Sequence, residues 1–393
     1  MKYLFVYLWA TFGPLACGSL EQQWLLSAAT SSFSQELYQK VAGDKSSVVY
    51  SPYSVHSALS MTSLGARGET ANEMAKLLHL LSLGDSTHQI YRELITELYS
   101  TANDTLTSAN AIFINPEKFI LPEYVAQVKT NYLAKVDHFD MSAPEGPEKV
   151  INDFVAENTD NQIQDILPKG TIEPTTVIVL VNAVHFNNTW DTQFLTKLTK
   201  PCDFYQLGGA VIKVPMMNNV QRVMYKSDNS LGVEVVELPF TDRRFSFYIA
   251  LPLKIDGITD LEKLILFKDK VNMLFTGLSY KILDLSIPKF KIESTLDLIP
   301  PLKSLGLIKA FSPTEADFSG ITNSGQAYIN NIIHKTVIDV TETGTTAAAG
   351  SAVVLSVRTS RPRGLKFHAN HPFVFFLRDN TNQQIYFQGK FSG

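Results

Sequence analysis

The chain has 393 residues, 45% of them hydrophobic and 18% charged, with a formal net charge of −4 at pH 7 and a pI near 6.1. That apolar content suffices for a large core, and the charged fraction is too low for a disordered or polyanion-binding chain. The mild acidity gives no global attraction to nucleic acid or to acidic membranes, so any basic site must be local.

The N-terminus joins Lys2 to an apolar stretch from Tyr3 to Leu15 and then to the small residues Ala16, Cys17 and Gly18. This is the pattern of a secretory leader, residues 1–18, with Ser19 as the mature start. The stretch is too short to span a bilayer, and no later run approaches ~20 apolar residues. A secreted, extracellular protein with no membrane partner is therefore expected. Cleavage would remove Cys17 and leave Cys202 as the one thiol, so disulfides do not hold the fold. Two glycosylation sequons, at Asn103 and Asn187, agree with secretion. Length alone suggests two or three domains at ~100–200 residues each, yet nothing linker-like divides residues 19–393, and we read them as one domain.

Helical spacing marks the first third. Phe33, Leu37 and Val41 recur every four residues, as do Ile90, Leu94 and Leu98. Pro122 and Pro147 each open a further candidate helix, the first carrying Val125, Val128 and Tyr132, the second Ile151, Phe154 and Val155. After residue 175 the pattern turns to β-rich runs broken by turn residues: TTVIVLVNAVHF (175–186), FSFYIALP (245–252), KILDLSIPKFKI (281–292), HPFVFFL and QQIYFQGKF. Helices early and strands late predict an α+β fold.

Between Glu342 and Arg358 lies TGTTAAAGSAVVLSV, uncharged and without proline, followed by RTSRPRGLK. As an extended segment it would place Thr345, Ala347, Ala349, Ser351, Val353 and Leu355 on one face, and Thr346, Ala348, Gly350, Ala352, Val354 and Ser356 on the other. It reads either as a strand left outside its sheet or as a linker of small residues. No catalytic motif is recognisable: there is no GxSxG elbow, no HExxH pair, and no lysine after the glycines at 344 and 350 to make a phosphate loop, and nothing marks a nucleophile, although the members of a Ser-His-Asp triad would meet only in space. His368 and His371 have no cysteine or carboxylate cluster beside them, so neither a metal nor a cofactor is expected.

Four segments then resemble one family. SPYSVHSALSMTSLGARGET (51–70), NAVHFNNTW (182–190), HKTVIDVTETGTTAAAGS (334–351) and FHANHPFVFFL (367–377) are similar to serpin motifs, in the family's order and spacing. The resemblance runs from about residue 24 to the C-terminus. It implies three β-sheets, eight or nine helices and an exposed reactive-centre loop at about 342–363. It implies a hinge of Glu342, Gly344, Thr345, Thr346, Ala347, Ala348, Ala349, Gly350 and Ser351. It also implies a polar cluster of Ser51, Ser54, Asn182 and His334 where strands must part, and an ion pair of Lys289 with Glu342 at the loop's point of entry.

The family's spacing of sixteen residues from the acidic hinge position puts the scissile bond at Arg358–Thr359. An exposed arginine is the natural bait for a protease whose specificity pocket ends in a carboxylate. The implied function is suicide inhibition of trypsin-like serine proteases by a monomer: the cut loop inserts as a new strand and traps the acyl-enzyme. Arg361 and Arg363 are rival cleavage sites, but Pro362 hampers the first and the second lengthens the loop by five residues. With Arg358 and Lys366 they form the one compact basic group, in which Arg361, Arg363 and Lys366 are a candidate site for an anionic cofactor, whereas the segment 86–98 holds one arginine against two glutamates. A non-inhibitory serpin acting as carrier, storage protein or chaperone, and a cross-class inhibitor of cysteine proteases, remain alternatives.

Overall fold

A computed structural model of the chain describes residues 14–43, 47–101, 105–345 and 365–393. The expected leader lies for the most part outside them, as do Asn103, hinge residues 346–351, Arg358, Thr359, Arg361 and Arg363. The long helix α1 (Pro14–Val41) carries Phe33 and Leu37 fully buried, as their spacing requires. Strand β1 (Val48–Tyr50) leads to α2 (Pro52–Ser63), whose first turn is fixed by Ser51 Oγ accepting from Ser54 N and by proline at N1. Every residue from Pro52 to Thr62 is buried, so α2 is a core helix rather than an amphipathic one. Then come α3 (Gly68–Leu77), α4 (Ser86–Thr101), β2 (Leu106–Ile114), α5 (Pro122–Tyr132), β3 (Lys135–His138) and α6 (Glu148–Asn158).

The second part begins with β4 (Ile178–Phe186), buried along its whole length, and the short β5 (Asn188–Thr189). Strands β6 (Lys200–Tyr205), β7 (Val211–Asp228), β8 (Val233–Pro239) and β9 (Phe245–Pro252) follow. Helices α7 (Ile258–Ile265) and α8 (Lys268–Leu274) precede β10 (Ser279–Pro288) and β11 (Phe290–Asp297). Last come α9 (Ile299–Ser304), β12 (Ile329–Val340), β13 (Gly344–Thr345), β14 (Leu365–His368), β15 (Phe373–Asp379) and β16 (Ile385–Phe391).

The fold is α+β as expected, but helices and strands are not divided along the chain. Strands β1–β3 precede residue 140, and helices α7–α9, at 8, 7 and 6 residues, sit among the later strands. Helices that short show too few turns for a 3.6 period to register.

The strands form two hydrogen-bonded networks. One has nine strands in the order β1-β16-β15-β9-β8-β7-β10-β14, with β6 paired to β7. The long β7 serves two blades of it: residues 211–225 pair with β6 and β10, while residues 224–228 pair with β8. With the other network this makes the three-sheet architecture. That other network is the central sheet, in the order β3-β2-β4-β12, with β11 beyond β12 and β13 wedged between β5 and β12. Helix α6 covers one face, where Ile151 and Val155 pack with Ala109, Ala111, Val179 and Val181. The main core covers the other face, so β4 is sandwiched and reads as a continuous apolar run.

Candidate functional site

At the middle of the central sheet, β4 and β12 run parallel, from Ile329 opposite Ile178 to Val337 opposite His185. Parallel pairing is slightly the weaker kind per residue. Beyond Val340 the chain turns back, and β13 enters the sheet antiparallel to both neighbours, Thr345 standing opposite Val340 on one side and Asn188 on the other. A strand continuing β13 in this register would run along the β4–β12 seam. Thr345 is fully buried, and its Oγ1 has no hydrogen-bond partner among the described residues.

Gly344 is there because nothing larger fits. A Cβ at this position would lie 1.9 Å from the Asn188 carbonyl oxygen, so only hydrogen allows β5 to approach. Next to it Glu342 is 5% exposed. Its carboxylate accepts from Lys289 Nζ at 2.8 Å and from Thr199 Oγ1 at 2.8 Å. Burial alone would raise the Glu342 pKa, but these hydrogen bonds and the Lys289 charge outweigh it and hold the group below its ordinary value. The Trp190 indole donates to Thr341 O at 2.8 Å and stacks on Phe240.

Lower on the seam the four expected polar residues come together. Ser51 N donates to His334 Nε2 at 2.9 Å, Asn182 Nδ2 donates to Ser54 O at 3.1 Å, and His334 Nδ1 meets Asn182 Oδ1 at 2.5 Å. A backbone N–H can only donate, so Nε2 is the acceptor and the neutral ring carries its proton on Nδ1. Burial lowers the His334 pKa to about 3, against the opposing pull of the Asn182 hydrogen bond. Two partners escaped the sequence reading. Asn110 of β2 accepts from Asn182 Nδ2, and Thr336 Oγ1 lies 2.6 Å from His334 Nε2. Asn110, Asn182 and His334 are opposed residues on adjacent strands, forming a polar row across three strands of the sheet.

Elsewhere the expected positions are scattered. Asn187 is half-buried at the β4–β5 junction, its N–H bonded to Thr105 O. Lys366 is exposed on β14, opposite Asp284. His368 is exposed, whereas His371 is buried with Nε2 2.8 Å from Pro252 O, and no cluster of metal-ligating side chains occurs among the described residues. Cys202 is a free, partly buried thiol.

A mixed central sheet with a parallel seam, capped at one end by a short antiparallel strand that feeds a long connection, defines a class of fold. The chain belongs to the serpin family: the profile described as "Serpin (serine protease inhibitor)" matches residues 28–393. Human Serpin B3 is 33% identical over 391 residues, covering 93% of this chain and 99% of that protein. A leukocyte elastase inhibitor of Bos taurus is 34% identical over 376 residues, covering 93% and 99%. Among solved structures, Serpin48 of the insect Tenebrio molitor, described as highly specific, superposes with a TM-score of 0.82 at 30% identity, covering 95% of this chain and 98% of that one. Human thyroxine-binding globulin superposes at 0.85 with 26% identity, covering 94% and 98%.

Proposed function

We propose that this protein is a secreted, monomeric suicide inhibitor of trypsin-like serine proteases, with Arg358–Thr359 as its reactive bond. The observation that carries the reading is β13, already antiparallel to both β5 and β12 at the mouth of a parallel seam. In the proposed reaction the protease serine Oγ attacks the Arg358 carbonyl carbon, the Arg358–Thr359 bond breaks, and the Thr359 amine leaves with the proton. An ester to Arg358 remains. The freed segment then extends β13 along the seam, replacing one parallel ladder by two antiparallel ones and dragging the protease before water can hydrolyse the ester.

Continuing the β13 register gives the entering residues definite neighbours. Ala347 would face Phe186 and Ile338, and Ser351 would come between Asn182 and His334, whose mutual hydrogen bond must then part. Small residues at 347–350 suit passage through so tight a gap, and a hydroxyl at 351 suits a polar row. Native stability is then kinetic, held by the closed seam. Arg361, Arg363 and Lys366 would steer an anionic cofactor or an acidic protease surface by their local field.

The test is incubation of the purified protein with trypsin, followed by denaturing electrophoresis and mass measurement of the released peptide. The expected result is a complex that survives denaturation and a peptide beginning at Thr359. Cleavage without a stable complex, for trypsin and for cysteine proteases alike, would favour the carrier reading, for which the binding of thyroxine by the structurally similar globulin is the precedent.

A further inference from the structure

Strand β5 stands where the central sheet is already parted. Below it, β4 lies directly against β12 as far as His185, opposite Val337. At Asn188, Thr345 of β13 has come between, with Val340 of β12 on its far side. The chain therefore steps outward by one strand width, about 4.8 Å, in passing from β4 to β5. On the side away from β13, β5 is held by the turn between β8 and β9, which belongs to the nine-stranded network. Thr241 N donates to Thr189 O and Asp191 N to Pro239 O, each at 2.9 Å, and Trp190 bridges to Phe240. A side-chain bond completes the attachment: Asn188 Nδ2 donates to Asp242 Oδ2 at 2.7 Å. The other oxygens of this pair are engaged as well. Asn188 Oδ1 accepts from Thr189 N at 2.8 Å, and Asp242 Oδ1 accepts from Arg244 N at 3.0 Å and from Phe245 N at 3.2 Å.

We propose that the β8–β9 turn holds the mouth of the seam open through Asp242, and that Asn188 and Asp242 are positioning residues for strand entry. Opening the seam brings β4 out to the distance from β12 at which β5 already stands. A segment that continues β13 then passes from pairing with β5 to pairing with β4 without a step. The spacing has little slack, because a side chain at Gly344 would collide with Asn188 O. With the clamp released, β5 is free to shift against β13, and entry must start from a frayed mouth. A hydrogen bond to a carboxylate suits the task, being shorter and stronger than a neutral one. The effect on inhibition rests on the trapping mechanism proposed above; the hold on β5 does not.

Amide and carboxylate can be exchanged, which makes the test reciprocal. Asp242→Asn keeps an oxygen for the turn and sets an amide donor against the Asn188 donor. Turning the Asn188 amide over to meet it would give up the bond from Thr189 N. Asn188→Asp keeps that bond and sets two carboxylates face to face. The double variant restores one donor and one acceptor at the wild-type net charge. Without protease, Trp190 emission should shift to the red in each single variant and return in the double. With trypsin, the rate of first attack on the loop should stay at the wild-type value in all four proteins. The number of inhibitor molecules cleaved per complex formed should rise about threefold or more in each single variant and fall back in the double. Single variants that match wild type in both readouts, or a double variant no better than the worse single, overturn the clamp. Shifted emission with an unchanged partition overturns its part in entry. If wild type forms no complex with trypsin, the inhibitory reading falls, and the emission pattern decides whether Asp242 holds β5.

Discussion

His334 and Asn182 face each other across the β4–β12 seam, with His334 Nδ1 2.5 Å from Asn182 Oδ1 and the imidazole fully buried. The contact requires the neutral ring, whose Nε2 accepts from Ser51 N. Burial has lowered the pKa to about 3, so the folded state binds fewer protons than the unfolded one, where histidine titrates near 6.5. Stability from this group is complete above about pH 6.5 and is lost as pH falls toward 3. Between pH 7 and pH 5 the loss is roughly 2 kcal/mol. His56 and His185, both lowered to about 4 by burial, act in the same direction. Urea unfolding midpoints at pH 7 and pH 5 check this: His334→Gln should lose clearly less than wild type, and equal losses would remove His334 from the account.

The Lys289–Glu342 pair is asymmetric, since the carboxylate side chain is 7% exposed and the ammonium side chain 42%. Removing the lysine strands a nearly buried anion, whereas neutralising the glutamate frees a cation that water already reaches. Lys289→Met is therefore expected to destabilise by about 1–2 kcal/mol, discounted for the exposed partner, and Glu342→Gln by less, because an amide oxygen still accepts from Thr199 Oγ1. Adding Glu342→Gln to Lys289→Met should recover part of the loss. A double variant no better than Lys289→Met alone would mean that the ion pair is not the source.

Gly344 tests whether β13 is held in its slot by close approach. Its φ is ordinary for any residue, so Gly344→Ala leaves the backbone allowed but drives a methyl into Asn188 O. Relief requires β13 to leave β5, at a cost of about 1–3 kcal/mol. Trp190, bonded to Thr341 O and stacked on Phe240, is the built-in reporter. Its emission should shift to the red in the alanine variant, and an unchanged spectrum with unchanged stability would show that the slot tolerates a side chain.

What could be read without coordinates follows from how each signal arises. Helices α1, α4, α5 and α6 each repeat their apolar positions for several turns, and β4, β9 and β15 are nearly unbroken apolar runs, so local pattern suffices. Strand β2 hides its character because Ser108 and Asn110 interrupt it, and the polarity of Asn110 answers to Asn182 on the neighbouring strand, which donates to it. The 18-residue β7 carries Pro215 and the Asn218–Asn219 pair, which read as turn residues. Asn182 and His334 were reachable through the family resemblance, but Asn110 and Thr336 join them only through strand register. Gly344 could be singled out as a glycine, yet the carbonyl that demands it belongs to Asn188, more than 150 positions away.

Thr345 separates packing from charge at the point of entry. Its side chain is fully buried and its hydroxyl is unpaired among the described residues, so Thr345→Val exchanges an unsatisfied donor for a methyl of the same shape. Stability should be unchanged or slightly higher, since a buried hydroxyl without a partner costs about 1–3 kcal/mol, and inhibition should persist. Thr345→Arg cannot be accommodated in the same way: the guanidinium is either buried unpaired or forces β13 out of the sheet. Trypsin should then cleave the variant as readily as wild type while the covalent complex disappears, and the number of inhibitor molecules consumed per protease trapped should rise steeply. A persistent complex with Thr345→Arg would mean that entry does not pass through the buried position of β13, and the insertion reading would fail with it.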